Sequence, residues 1–316
     1  MGTGKVDFFL SPPALWEESV KIGVLSDIHS NLIALKACTA YLEKVGCDEY
    51  LFLGDYVSDT PYTRDVLDYL YEFFDSHRCY VLRGNREEYM LGQRECLRNN
   101  IEEKKWVWNS ASGNLLFTYR QLTEKDFAFL ESLPISFQYA KEGYPAITCC
   151  HGSPNSTREL LQHHGENTVD WLDHLETDYL LCAHTHNPGM STHHGKKYFN
   201  PGAIGIAIHD YGFAQCMLLE AVENNGVKEW EPTFLKLPYD HKQVVEDIQK
   251  TGLLEKAGWF MNSNIKTLLT GVDVSSQLVE LAAKLSQEAG EKTKWPLIEE
   301  KYFEQAAKML DICDYR

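Results

Sequence analysis

Seven side chains able to bind divalent cations follow short apolar runs in this chain. Asp27 and His29 come after 21–26, Asp55 after Glu49–Leu53, Asn85 after Cys79–Leu82, and His151 after Ala146–Cys150. His184 and His186 come after Tyr179–Ala183. Taken singly, Asp-x-His or Gly-Asp is an ordinary turn. Five such motifs in order, separated by 28, 30, 66 and 33 residues (27 to 55, 55 to 85, 85 to 151, 151 to 184), are not explained by chance turns. In an α/β fold the carboxyl ends of the strands open on one face, so the motifs are expected to converge there. A donor set of carboxylate, amide and imidazole without thiolate suits Mn²⁺, Fe, Zn²⁺ or Ni²⁺ better than Ca²⁺. Such a cluster can hold divalent cations at one edge of the fold.

The elements that must position these residues alternate between short β-rich runs and helical periodicity. The strand over 21–26 is followed by apolar positions Leu32, Leu35, Tyr41 and Leu42 at near-helical spacing. Glu49–Leu53 and Cys79–Leu82 are predicted strands, and Pro61–Phe74 and Glu87–Cys96 predicted helices. From about 99 to 132 the chain reads as an inserted helical segment whose apolar face includes Leu115, Tyr119, Phe127 and Leu130. Strands then dominate: Ile135–Tyr139, Ala146–Cys150, Tyr179–Ala183, Lys197–Asn200, Phe213–Ala221 and Glu229–Leu237. This pattern predicts a layered α/β domain over 21–238, preceded by an extension over 1–20. Residues 239–316 read as a helical C-terminal appendage, with amphipathic stretches at Leu278–Leu285 and Phe303–Ile312. It is expected to pack on the domain or to mediate self-association as a homo-oligomer.

Composition sets the outer bounds. A chain of 316 residues buries roughly 75% of its extended surface, enough for one large domain with an appendage. Nine cysteines without Cys-x-x-Cys spacing read as reduced, mostly buried thiols, which predicts a cytoplasmic location. A formal charge of −16 disfavours general nucleic-acid binding, while small anions remain acceptable where bound cations reverse the local sign. No apolar run approaches the roughly 18 residues that a membrane span needs, so no membrane partner is expected.

In this context the motifs resemble those of the calcineurin-like metallophosphoesterase superfamily, whose pattern D-x-H, G-D, G-N-x-[D/E], H and H-x-H is matched in order. Ser30-Asn31 after the first motif, and Asn200 to Gly205 after the last, extend the resemblance to the bacterial phosphodiesterase-like branch. The resemblance implies a four-layer α/β/β/α sandwich with two divalent metal ions at its edge. It assigns Asp27, His29 and His186 to one ion, Asn85, His151 and His184 to the other, and Asp55 to both. Mn²⁺ is the first choice for the ions, with Fe, Zn²⁺ or Ni²⁺ as alternatives. The implied activity is hydrolysis of small phosphodiesters or nucleotide-type substrates by a metal-bridging hydroxide. The alternatives are a serine/threonine phosphatase-like phosphomonoesterase and a non-catalytic metal-binding scaffold. Asp55, His151 and Arg86 are the expected catalytic residues, and Asn31 and Arg86 the expected substrate contacts.

One position departs from the family pattern. Many members carry a proton-donating His after the Asn of G-N-x-[D/E], where this chain has Arg86. A guanidinium gives up no proton near neutral pH, but its planar donor fork can hold a phosphoryl oxygen. The competing reading is an Arg paired with Glu87, Glu88 or Asp55 that only orients the loop. Trp106, Trp108, Trp171, Trp230, Trp259 and Trp295 read as packing residues, and His163, His164, His193 and His194 as solvated loop histidines. His209-Asp210 reads either as a pair supporting the site or as a strand-end turn.

Overall fold

The computed structural model describes residues 20–292 and 294–316; the expected N-terminal extension lies outside them except for Val20. Period-2 burial in the strands dictates the layering. In β1 (Lys21–Leu25) and β2 (Glu49–Phe52), Ile22, Val24 and Leu51 point to one side and Leu25, Tyr50 and Phe52 to the other. Both faces are apolar, so both must be covered. α1 (Leu32–Lys44) and α2 (Thr63–Ser76) cover the outer face with Leu35, Leu42, Leu67 and Leu70.

A second sheet covers the inner face. Ile147 and Cys149 of β5 (Ile147–Cys150) and Tyr179 and Leu181 of β6 (Tyr179–Leu181) meet Ile22, Val24 and Leu51 across the sandwich. Their neighbours Cys150 and Leu180 face outward, under Leu172 and Trp171 of α6 (Glu166–His174). The result is the expected α/β/β/α order. One sheet runs β10-β9-β1-β2-β3, with β3 Cys79–Val81, β9 Phe213–Asn224 and β10 Val227–Pro238. The other runs β4-β5-β6-β8-β7, with β4 Ser136–Tyr139, β7 Gly189–His193 and β8 Lys196–Asn200. α6 and β7 escaped the sequence reading. α6 carries only two buried residues, and β7 is a half-exposed edge strand ending at His193, in a stretch read as loop.

β1, β2 and β3 are mutually parallel, as are β5 and β6. Their carboxyl ends therefore open at one edge. Around that edge stand α3 (Asn85–Arg98) and, from the 99–132 segment, α4 (Gly113–Tyr119) and α5 (Glu124–Ser132). The C-terminal α7 (His241–Lys250), α8 (Leu253–Thr270), α9 (Ser275–Glu288) and α10 (Glu300–Met309) complete the structure. Two further apolar clusters tie these helices down. Val244, Ile248, Leu254 and Met261 pack with Ile206, and Leu278, Phe303 and Ala307 pack with Ala111 and Trp259. Among the described residues, no helix is long and apolar enough to cross a membrane.

Candidate metal centre

Five loops leave the parallel strands and are tied to one another by backbone. Asp27 N–H donates to Gly54 O at 3.1 Å, His29 N–H to Asp55 O at 2.9 Å, and Ala183 N–H to His151 O at 2.8 Å. The loops turn sharply. Asp27 (φ 51°), His29 (φ 48°), Asp55 (φ 54°), His184 (φ 66°) and His186 (φ 53°) are all left-handed. Such non-glycine residues cost of order 1–3 kcal/mol each and persist only where surrounding structure holds them. Gly84 permits the closest approach: a Cβ there would lie 2.1 Å from Asp55 Oδ1.

All seven expected ligand residues meet at this edge. Asp27, His29 and His186 form one group and Asp55, His151 and His184 another, each with donor atoms within 4.8 Å of one another. His29 Nε2 lies 3.0 Å from His186 Nε2, and His186 Nε2 3.3 Å from Asp27 Oδ1. Asn85 Oδ1 joins the second group, 3.0 Å from His151 Nε2, which is itself 3.5 Å from Asp55 Oδ1. Asp55 also reaches the first group, with Oδ2 3.8 Å from His29 Nε2.

The donor set fits divalent cations. Asp27 Oδ1 is buried with no hydrogen-bond partner, which is costly unless a cation completes it. The second nitrogen of two imidazoles is hydrogen-bonded elsewhere: His151 Nδ1–H donates to Leu53 O at 2.7 Å and His186 Nδ1–H to Ile206 O at 2.8 Å, which fixes the tautomer and leaves Nε2 free to bind metal. His29 Nδ1 lies beside the Asp59 carboxylate, 2.8 Å from Oδ2.

The protons present without metal report the same field. Burial opposes charge on Asp27, Asp55 and Asp59, yet the histidines around them, and Arg86 for the last two, hold all three below the usual carboxylate range. Burial also opposes charge on His151, but Asp55 and Asp27 outweigh it and push His151 up to about 10. Asp27 raises His186 against its burial in the same way. Burial and the charge of His151 bring His184 down to about 4. Protons on His151 and His186 therefore stand where cations would compete.

Three residues around the cluster acquire roles that the sequence did not show. Glu87 accepts backbone N–H bonds from Gly84 (2.7 Å), Asp55 (2.9 Å) and Tyr56 (2.9 Å), clamping two ligand loops together. Burial and the nearby Asp55 raise its pKa to about 7. Arg86 accordingly pairs with neither Glu87 nor Glu88; its Nη2 lies 2.9 Å from Asp59 Oδ2, with Asp55 farther, at 3.9 Å from Nε. Asp59 thus joins His29, Arg86, Asn114 of α4 (2.5 Å) and Asn264 of α8 (3.4 Å). Its only sequence signal was an acidic residue four positions after Asp55.

Asn31, expected to contact substrate, is fully buried: its Oδ1 accepts from Ala34 N–H (3.1 Å), capping α1, and its Nδ2 donates to Gly205 O (3.0 Å). Asp210 turns away from the centre, to Gln215 (2.9 Å) and Lys236 (2.8 Å). A cleft of about 340 Å³ opens over the cluster, walled by Arg86, Tyr89, Arg158, Leu160 and, from the C-terminal helical region, Asp273, Ser275 and Ser276.

The calcineurin-like phosphoesterase family model matches residues 20–188. The chain is similar to uncharacterized protein MJ0912 of Methanocaldococcus jannaschii, 24% identical over an alignment of 252 positions that covers 75% of this chain and 95% of that one. Among solved structures it is similar to hypothetical protein PH1004 of Pyrococcus horikoshii. The TM-score is 0.65 at 21% identity, covering 80% of this chain and 99% of that one. It is also similar to a metallophosphoesterase from Sphaerobacter thermophilus, with TM-score 0.61 at 21% identity, covering 81% and 100%.

Proposed function

The chain belongs to the calcineurin-like phosphoesterase family of metal-dependent phosphoester hydrolases, and we propose that it cleaves small phosphodiesters or nucleotide-type esters at a dinuclear centre. The observation that carries this reading is the buried pair of Asp–His–His groups, with Asp55 reaching both and Asp27 Oδ1 without a hydrogen bond. In this reading Asp27, His29 and His186 hold one cation and Asn85, His151 and His184 the other, with Asp55 between them. What two divalent cations supply at such a centre is Lewis acidity: a more acidic water and neutralised phosphoryl charge.

The chain's own residues do the rest. Asp59 orients the His29 ring and, with the opposite side of the same carboxylate, keeps α4 against the cleft. Arg86 is held at the cleft wall by Asp59 with part of its donor fork exposed, where it meets a phosphoryl oxygen and adds no proton. Ester oxygens that leave as stable anions are therefore favoured, which is the basis for preferring diesters and activated nucleotide bonds over simple alkyl monoesters. Protein reconstituted with Mn²⁺, Zn²⁺ or Ni²⁺ should hydrolyse bis(p-nitrophenyl) phosphate faster than p-nitrophenyl phosphate, and chelation should abolish both. Absence of metal-dependent hydrolysis of either ester would overturn the proposal.

A further inference from the structure

Beside the metal cleft lies a second cavity of about 530 Å³, within the range of about 300–1,000 Å³ usual for small-molecule sites. The two share Tyr89 and Arg158. Helix α3 connects them: it begins at Asn85 in the metal cluster, and one turn on, a rise of about 6 Å, presents Tyr89 and then Gly92, Gln93 and Cys96 along the cavity floor. Trp106 and Trp295 complete the wall. Trp295 was expected to be a packing residue, yet its side chain is 41% exposed, with the ring centroid 6.3 Å from that of Tyr89. Its Nε1–H donates to Ala111 O at 2.9 Å, which fixes the plane of the indole. The Arg158 guanidinium lies 4.7 Å over the Tyr89 ring, at the junction of the two spaces.

Charge decides what fits. At the metal end Arg86 faces the cluster, whereas the far cavity sets Glu88 and Glu95 against Lys104 and the shared Arg158, itself 3.7 Å from Glu88, a balanced lining that gives a second phosphate no net attraction. A flat, neutral, polar ring on the aromatic wall, one helical turn from a phosphoryl group, meets both conditions. We propose that this cavity is a nucleobase seat, so that the substrate is a nucleoside phosphoester. The base lies against Trp295 and Tyr89, and Arg158 spans the sugar-phosphate junction. The inference rests on the phosphoesterase reading for the position of the phosphate.

Calorimetric binding of AMP and of ribose 5-phosphate to the metal-loaded protein isolates the base. Wild-type protein should bind AMP at least about tenfold tighter, within the range that one stacked base provides. Gly92→Leu builds a side chain into the cavity from α3, where a Cβ meets nothing within 4 Å, and leucine is the better helix former. It should reduce the preference below about threefold while leaving ribose 5-phosphate binding and p-nitrophenyl ester hydrolysis within twofold. Trp295→Ala should do the same and Trp295→Phe should keep most of the preference. A wild-type ratio near one, or a ratio that survives Gly92→Leu, overturns the nucleobase seat while ester hydrolysis still stands. Absence of metal-dependent ester hydrolysis instead overturns the phosphoesterase reading.

Discussion

Asp59→Asn tests whether the carboxylate behind His29 controls the metal centre. Asparagine keeps the shape and tolerates the left-handed backbone at this position (φ 70°), so charge and one acceptor oxygen are what change. In the wild type, Oδ2 lies 2.8 Å from His29 Nδ1 and 2.9 Å from Arg86 Nη2, while Oδ1 accepts from Asn114 at 2.5 Å. Whichever way the new amide turns, its NH₂ meets donors on that side, and a buried donor loses its acceptor at about 1–3 kcal/mol. Losing a buried ion-pair partner costs about 3–5 kcal/mol when the remaining charge is sealed in. Here Arg86 is 21% exposed and keeps Asp55 at 3.9 Å, so the loss should fall near 2–3 kcal/mol, within those ranges. The ligand effect is separate: without its orienting carboxylate, the cation on His29 should bind about 10–100-fold more weakly, with the His151 cation little affected. Competition titration against a chromophoric chelator reads the two affinities and urea unfolding reads the stability. Two metal equivalents bound within threefold of wild type would show that Asp59 only braces the loop.

Asp55→Asn should lower turnover by about 10³-fold or more, since a carboxylate that reaches both histidine groups and is expected to hold both ions is lost; near-normal turnover with two bound metals would refute its role. Metal loading of the apo protein near pH 7.5 should release about one to two protons, because the carboxylates hold His151 protonated up to about pH 10 and also raise His186. Calorimetry in two buffers of different ionisation enthalpy measures this, and metal affinity should fall as pH falls. Burial works against charge on Asp126, but Arg64, Thr123 and Tyr71 outweigh it and bring it down to about 2. Its contribution is therefore complete above about pH 4 and lost as pH falls towards 2; discounted because its partner Arg64 is 31% exposed, it is about 1–2 kcal/mol. Arg64→Ala should flatten that stretch of the acid-unfolding curve. Arg86→Ala should reduce kcat/KM by about 10²-fold without changing metal content, the scale for one preorganised donor; an unchanged rate would leave Arg86 as a partner of Asp59 alone.

The candidate metal cluster was legible in the sequence because its signal is local. Each expected ligand sits within a few residues of an apolar run, and parallel strands send all such ends to one edge. The layers were legible for a related reason: Tyr50, Leu51 and Phe52 alternate between two buried faces, which requires cover on both sides. What the sequence hid depends on contacts between distant segments. Glu87 stood only as one of three alternative partners for Arg86, but its partners are backbone amides brought together by the close approach of Gly54 and Gly84. Asn31 looked like a substrate contact because its motif is local to Asp27, whereas its Nδ2 partner, Gly205, lies 174 residues away. The helices after Pro238 showed amphipathic patterning, but nothing in that pattern could indicate that Asn264 reaches Asp59 across 205 residues.

That last contact has a consequence for how the protein is made. His186, the last of the expected ligands, is synthesised 78 to 89 residues ahead of Asn264 and Ser275, which brace or wall the cleft. At roughly 5–20 residues per second this is an interval of about 4–18 s. The side chains expected to hold the ions are therefore made before the helices that shape the cleft over them. Two sets of residues that meet at one site in the finished molecule are thereby separated in time.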